Sequence, residues 1–294
     1  MDQTLSKPQQ IALRNSVPVS VVIPCYRCAE TICAAVDSVV NQTSRPMEII
    51  LIEDFSDDHG ITLKMLEVIQ NNLKGLIKVV IISLPNNRGA GEARNAGWDA
   101  ASQEFISFID SDDVWHPQKL EIQTALIRSR PNFLMSCHSY RPYQHALNGK
   151  VDAKFVSSLE VKWQQLLFMN TIATSTVMIR RNIHNRFSKD VRYAEDFRLW
   201  MRLLAEGNKV LSINFPLAYF FKEPFTPVGL SGNLMAMHRS VLLCMHDLRE
   251  EQLISFGIYF FAVAFEKIKF FRRILISKLI VLSRNNYIKD DRLR

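Results

Sequence analysis

Apolar positions along the chain follow two rhythms. Residues 17–24 (VPVSVVIP), 47–52 (MEIILI), 78–84 (KVVIISL) and 105–109 (FISFI) are short, nearly continuous apolar runs rich in β-branched and aromatic residues, the pattern of buried strands, with Pro24 as the stop of the first. Between them the spacing becomes helical. Residues 30–42 put Ile32, Ala35, Val36, Val39 and Val40 on one face, residues 61–73 return as a helix, and another starts near Glu92. This alternation predicts right-handed crossovers and an α/β fold, a Rossmann-like, mostly parallel, doubly wound sheet with helices on both faces. Further along, residues 118–128 and 163–169 read as helices, and 133–140 and 174–179 (TSTVMI) as strands. In residues 193–204 (YAEDFRLWMRLL), Phe197, Trp200, Met201 and Leu204 form a core stripe at helical spacing. Residues 1–17 read as a loose polar arm, and 132–157 carry the weakest pattern.

Carboxylates gather where the strands end. Asp110, Asp112 and Asp113 follow the fourth run, and Glu53 and Asp54 follow the second. In open α/β sheets, ligands bind in the crevice outside the carboxyl ends of the strands. Asp110 and Asp112, separated only by Ser111, can converge on a hard cation such as Mg²⁺ or Mn²⁺, which suits oxygen ligands and commonly sits against phosphates. The same Asp-Ser-Asp-Asp also reads as a turn that caps the following helix. In residues 85–98 (PNNRGAGEARNAGW), Gly89 and Gly91 allow close backbone approach to a ligand and Arg88 and Arg94 add positive charge; a glycine turn leading into a surface helix fits equally. Its GxG follows the third strand and lacks the third glycine of a dinucleotide fingerprint. Glu195 and Asp196 stand at the first turn of the 193–204 helix, where carboxylates favour the helix dipole.

Charge changes the picture mainly at the carboxyl end. Of the formal +7, residues 252–294 carry nine Lys or Arg against three acids, a net +6, which leaves +1 for the rest. The near balance of the body argues against nucleic-acid binding. Apolar and charged contents of 48% and 22% are those of a globular protein. The polar start MDQTLSKPQQ has no apolar core of signal-peptide length, and five cysteines, an odd number, fit a reducing compartment. Cys25 and Cys28 form a CxxC without a second ligand pair at metal-site spacing, which favours packed cysteines over zinc or redox chemistry. The apolar run 254–265, ended by Glu266, is too short to span a bilayer. On a helical projection Lys269, Arg272 and Arg273 group opposite Ile268, Phe271, Leu275, Leu279 and Leu282, with Lys267 and Lys278 inside the apolar arc. That pattern suits the anionic cytoplasmic leaflet. A helical pair packed on the body, or a dimer contact, is the alternative.

Five pieces in order, VSVVIPCYRCAETI, IILIEDFSDD, NNRGAGEARNAGWDAA, FISFIDSDDVWHPQKLE and YAEDFRLWMRLL, make residues 18–232 resemble the family 2 glycosyltransferases of the GT-A fold. The resemblance implies a nucleotide-binding half over about 18–117, an acceptor half over about 118–232, and a helical extension over 233–294. It implies inverting, metal-dependent transfer from a nucleotide diphosphate sugar, a UDP-sugar first, to an acceptor hydroxyl on a glycan or lipid-linked acceptor. The setting would be surface-polysaccharide or glycolipid synthesis, peripheral on the inner face of the cell membrane. Carried over by position, Pro24, Tyr26 and Glu30 flank the nucleotide, and Asp54 meets the base. Arg88, Gly89 and Arg94 border nucleotide and metal. Asp110, with Ser111, lies near ribose and metal, Asp112 ligates Mn²⁺ or Mg²⁺, Asp196 is the general base, and Glu195 contacts the acceptor or supports the base. Two departures stand out: Glu53-Asp54 replaces a pair of aspartates, and residues 220–225 (FFKEPF) offer Lys222 but no histidine where relatives carry Arg and His. Gly229-Leu230-Ser231 resembles the end of that loop. Nucleotidyl transfer would want a glycine-rich loop after the first strand, which PCYRCAET is not. An inactive transferase-like scaffold would have no chemical reason to keep Asp54, Asp110, Asp112 and Asp196 together. Oligomeric state is left open.

Overall fold

The computed structural model describes residues 16–147, 149–152, 156–221 and 233–291, with side chains to residue 276. Among these, nine strands form one sheet in the order β3-β2-β1-β4-β8-β6-β9-β5, with β7 beside β9. The strands are β1 (Ser16–Cys25), β2 (Arg45–Glu53), β3 (Lys78–Ser83), β4 (Phe105–Phe108), β5 (Asp113–Trp115), β6 (Phe133–Pro142), β7 (Ser158–Glu160), β8 (Met178–Arg180) and β9 (Lys209–Phe220). The helices are α1 (Ile32–Val40), α2 (Ile61–Leu73), α3 (Ala90–Ala100), α4 (Lys119–Arg128), α5 (Trp163–Phe168), α6 (Glu195–Ala205), α7 (Leu234–Glu250) and α8 (Phe256–Asp291).

The first four strands are all parallel. They read as unbroken apolar runs because both faces are covered. Val22, Ile50, Ile52, Ile106 and Phe108 pack in one core with α3 and α6, while Val21, Ile23, Ile49, Leu51 and Phe105 pack in another with α1 and α2. Helix α3 lies so close to β1 that a Cβ on Gly97 would stand 2.4 Å from Val22 Cγ1. The chain winds from β1 through β2 to β3, then crosses to the far side of β1 to lay down β4. That reversal opens a crevice at the carboxyl ends of β1 and β4, the switch point of a doubly wound sheet.

Antiparallel pairings are confined to the second half, where β8 joins β4 and β6, and β5 and β7 join β9. Here the sequence reading needs correction. The stretch expected as one strand over 174–179 is a 3₁₀ turn, Thr174–Thr176, followed by β8 from Met178. Its hydroxyls explain the break: Ser175 is drawn to Asp113 and Thr176 donates to the Ala173 carbonyl, side-chain bonds that compete with a ladder. β1 runs one residue past Pro24. The 12-residue β9 was hidden by Pro216, at which its register with β6 shifts.

Helices α7 and α8 close one end of the body: Cys244, Met245, Leu248, Ile254 and Ala262 enter the same core as α6, and Arg198 and Arg202 of α6 pair with Asp247 and Glu251. Among the described residues no helix is long and apolar enough to cross a membrane. The five cysteines are free, four of them buried. Expectations for the arm over residues 1–15, for Lys222 and Gly229–Ser231, and for the side chains of Lys278, Leu279 and Leu282 lie outside what is described.

Candidate active site

Two carboxylate centres face the crevice. At the end of β2, Asp54 is buried, 3% exposed. Its Oδ1 accepts from the Arg88 backbone N–H at 2.7 Å, and its Oδ2 accepts from the Gly89 N–H at 2.8 Å and Asn87 Nδ2 at 3.1 Å. The side chain expected to present itself to a base therefore first holds the 87–89 loop in place. Burial raises its pKa above the ordinary value, and the two backbone donors offset that. Arg88 itself is exposed and paired with Glu92. The loop after β1 is tied to the loop after β2, with Arg27 N–H on Ser56 Oγ at 3.1 Å and Arg27 Nε on Ser56 O at 2.8 Å. Pro24 is half-buried, while Tyr26 and Glu30 stand exposed at the crevice mouth.

The second centre is built around Arg94 on α3, 4% exposed. One guanidinium nitrogen reaches Asp110 Oδ1 at 2.6 Å and another reaches Glu195 Oε1 at 2.9 Å. Arg94, expected to border nucleotide and metal, is a strut between the strand-end acids and the Glu-Asp pair, with its guanidinium over the Phe187 ring at 5.5 Å. Burial alone would lower the Arg94 pKa, but the Asp110 and Glu195 carboxylates hold it above its ordinary value. Helix α6 comes this close because residue 91 is glycine; a Cβ there would meet Glu195 Cγ at 3.0 Å. Glu195 is buried against that guanidinium. Ala194, at φ 52°, turns the chain sharply into α6, a left-handed residue of the kind that gathers at functional sites.

Asp196, next along, is half-buried between α6 and the Thr174–Thr176 turn. Its Oδ1 accepts from the Phe197 N–H at 2.7 Å and its Oδ2 from Thr174 Oγ1 at 3.4 Å. Burial and then the neighbouring Glu195 carboxylate push its pKa up to about 7. A carboxylate so raised is poised to take a proton near neutrality.

Asp110 and Asp113 share Ser175, whose Oγ accepts from the Asp110 N–H at 3.0 Å and donates to Asp113 Oδ2 at 2.5 Å. Asp113 thereby belongs to β5 and the turn. Asp112 and Ser111 are half-buried beside it. Among the described residues no three His, Cys, Asp or Glu side chains converge on one ion position. Two carboxylates, Asp110 and Asp112, still fit a hard divalent cation, which typically takes one or two protein carboxylates and completes its shell with phosphates and water. Asp110 Oδ1 is engaged by Arg94. The CxxC pair gathers no third ligand; burial raises the Cys25 pKa, and hydrogen bonding to Cys25 lowers that of Cys28.

Three further residues come into the site from places the sequence does not flag. Phe55, exposed and left-handed at φ 51°, follows Asp54 at the crevice mouth. Arg192 donates to the Asn87 carbonyl at 3.0 Å and favours the ionised form of Asp54. Tyr140, half-exposed at the end of β6, lies within the field of Asp196 and Asp113, which with burial raises its pKa. Phe55 and Arg192 adjoin Asp54 and the Glu-Asp helix in sequence, a usable signal; Tyr140 sits in the stretch of weakest pattern.

Comparison with known proteins agrees with this architecture. The profile of the family "Glycosyl transferase family 2" matches residues 20–187. The chain is 31% identical over 191 residues, 65% of its length and 71% of the relative's, to the Escherichia coli UDP-Glc:alpha-D-GlcNAc-diphosphoundecaprenol beta-1,3-glucosyltransferase WfgD. It is 30% identical over 206 residues, 69% of its length and 78% of the relative's, to the putative teichuronic acid biosynthesis glycosyltransferase TuaG of Bacillus subtilis. Among solved structures, S. aureus TarS 1-349 in complex with UDP-GlcNAc superposes with a TM-score of 0.66 at 17% identity, covering 87% of this chain and 72% of that one. The Pyrobaculum calidifontis mannosyltransferase PcManGT, in complex with GDP-Man and Mn²⁺, gives 0.61 at 14%, covering 94% and 81%. These structures speak for the fold, GT-A, while the profile spans more than half of the chain and carries the family. A crevice whose acids lie at the strand ends and at the head of α6, in a chain with these relatives, has one reading: the chain belongs to glycosyl transferase family 2 and is a glycosyltransferase.

Proposed function

We propose that the chain transfers a hexose or N-acetylhexosamine from a UDP-sugar to a hydroxyl of a lipid-linked glycan, with inversion, in polysaccharide or glycolipid synthesis at the cytoplasmic face of a membrane. The observation that carries the mechanism is Asp196, a half-buried carboxylate raised to about 7 between α6 and the Thr174–Thr176 turn. Its ionised form accepts the acceptor's O–H proton as the oxygen attacks the sugar carbon, the carbon–diphosphate bond breaks on the opposite face, and UDP departs. Glu195 and Arg94 position that carboxylate, and Thr174 orients one of its oxygens. A bound Mg²⁺ or Mn²⁺ would supply charge neutralisation for the departing diphosphate, with Asp112 and Asp110 as its protein ligands.

On the donor side, a carboxylate offers about four acceptor positions, of which Asp54 has three filled by the 87–89 loop. The remaining position on Oδ1 accepts a ring N–H of the base, flanked by Tyr26 and Phe55. Uracil and a lipid diphosphate acceptor are supported by the relatives: WfgD is named for UDP-Glc and a diphosphoundecaprenol acceptor, and TarS was solved with UDP-GlcNAc. Tyr140, beside Asp196, forms the acceptor wall.

The test is donor binding across a panel of nucleotide diphosphate sugars, with and without Mn²⁺ or Mg²⁺, on the full chain and on Asp112→Ala. Metal-dependent binding of a UDP-sugar, lost in the variant, is the expected result. Failure to bind any donor with any metal would leave the acids as caps and turns, and the chain as a scaffold.

A further inference from the structure

Helix α8 is inverted relative to an ordinary surface helix. Its one buried acid, Glu266, 1% exposed, points into the body, where Lys269 Nζ lies 2.7 Å away, Arg273 3.6 Å and His238 Nδ1 3.4 Å, with the His238 ring stacked on Phe270 at 4.1 Å. Lys269 and Arg273, grouped by the sequence projection opposite the apolar residues, are thus turned inward to Glu266. What faces out is Phe260, Phe261, Phe265, Ile268, Phe271 and Leu275, each 41 to 68% exposed. At about 100° per residue these six fall in one arc of about 140°, and the exposed Lys267 and Arg272 stand near its two margins. An isolated exposed phenylalanine needs no explanation; a contiguous stripe of this size does.

We infer that this face seats on an anionic lipid surface. Aromatic and aliphatic side chains rimmed by cations match an acyl boundary beneath charged headgroups, and apart from Lys269, Arg273 and the buried Glu266, residues 252–294 bring seven Lys or Arg against two acids. A second copy is the poorer occupant, because it would bring a face rimmed by the same cations, Lys267 and Arg272, against this one. The same docking aims the cleft. Phe168 packs its ring on Phe265 at 5.3 Å and its carbonyl accepts from Lys269 Nζ at 2.8 Å, so the exposed Met169 extends the apolar surface. Five residues on is Thr174, whose Oγ1 lies 3.4 Å from Asp196 Oδ2, so at most about 18 Å of chain separates Met169 from the partner of the proposed base. An acceptor held in the leaflet then enters beside Asp196; this second step rests on the function proposed above, whereas the lipid contact does not.

Flotation of the full chain with phosphatidylcholine vesicles, with and without phosphatidylglycerol, tests the contact. Binding is expected only with phosphatidylglycerol, weakened on the order of a hundredfold in F261S/F271S and roughly tenfold or more in K267E/R272E. These side chains are exposed, so folding, read by the thermal melt, is unaffected. Equal flotation of F261S/F271S and the parent would overturn the inference, as would a dimer that F261S/F271S converts to monomer with no change in flotation. For the orientation, an environment-sensitive dye on M169C in a Cys33→Ser background should shift on vesicle addition, while one on M47C, at the opposite end of β2, should not; an unshifted Met169 position overturns it. Flotation without binding of any sugar nucleotide would sink the function and leave the lipid contact standing.

Discussion

The ends of β2 and the head of α6 each bury a carboxylate, and they do so to opposite effect. Asp54 is surrounded by donors, two backbone N–H groups and an amide, that offset part of its desolvation and turn it into a clamp for the 87–89 loop. Asp196 has one good donor, a long contact to Thr174, and another carboxylate beside it. Burial raises both; at Asp54 the Glu53 carboxylate adds the least of the causes and the Arg88 and Gly89 donors oppose it, whereas at Asp196 the Glu195 carboxylate comes second only to burial and the pKa reaches about 7. The difference separates the proposed clamp from the proposed base: three donors tie Asp54 to its loop, while one good donor beside a like charge leaves Asp196 basic. Arg94 keeps the second centre from losing both charges, since it answers Glu195 directly and Asp196 through space.

The largest effect belongs to Asp196→Asn, which removes the proposed base while keeping shape. General-base removal lowers kcat by about 10²–10⁴-fold, with donor affinity unchanged. Stability should move the other way. A carboxyl whose folded pKa lies above its unfolded value of about 3.9 holds its proton more tightly when folded, so stability falls as pH rises from about 4 through about 7. The asparagine escapes that fall. Thermal melts of parent and variant should coincide near pH 4 and favour the variant near pH 8; a constant difference across that range would contradict a raised Asp196. In the parent, kcat should climb with pH through about 7, as the ionised form accumulates.

Arg94→Met comes next, and breaks the comparison by removing the strut. Two carboxylates lose their partner, one buried and one, Asp110, with its side chain 38% exposed. Removing one partner of a buried pair costs about 3–5 kcal/mol, discounted here toward about 2–3 for the solvent at Asp110. Arg94→Lys should recover only part, because a compact ammonium cannot fork to both acids. A purely structural role would lower the melting temperature alone. The positioning role also moves the rise of kcat to higher pH, since Arg94 holds the Asp196 pKa down.

The sheet's first half was legible in the sequence because burial on both faces leaves no polar position to blur β1 to β4, and the strand-end acids stood out against those runs. The second half was not. Thr174–Thr176 has strand composition, but its hydroxyls bind the turn and Asp113, and β9 is interrupted by Pro216. Arg94 read as a cation after a glycine loop; its partner Glu195 is 101 residues away, beyond any local pattern. Glu266 was read as the break in an apolar run, whereas on the folded chain it is the inward anchor that turns the apolar residues outward. For Ser175 and Arg94 the deciding partner was distant in sequence.

The smallest effect, and the sharpest contrast with Asp196→Asn, is Asp54→Asn. The substitution keeps size but replaces one acceptor oxygen by an NH₂ that must face a donor, either the Arg88 N–H or the Gly89 N–H with the Asn87 amide. An unsatisfied buried donor costs about 1–3 kcal/mol, and the loss of charge weakens the bond that remains. Because the loop rather than the reacting atoms bears the change, the penalty should fall on donor binding, raising KM by roughly tenfold with kcat within a few-fold of the parent. Steady-state kinetics on both variants then place the two acids: a KM effect at Asp54 and a kcat effect at Asp196 sustain the division between clamp and base. A kcat loss at Asp54 as deep as that at Asp196 would mean that the 87–89 loop reaches the reacting centre, and that its three donors do not mark Asp54 as a clamp alone.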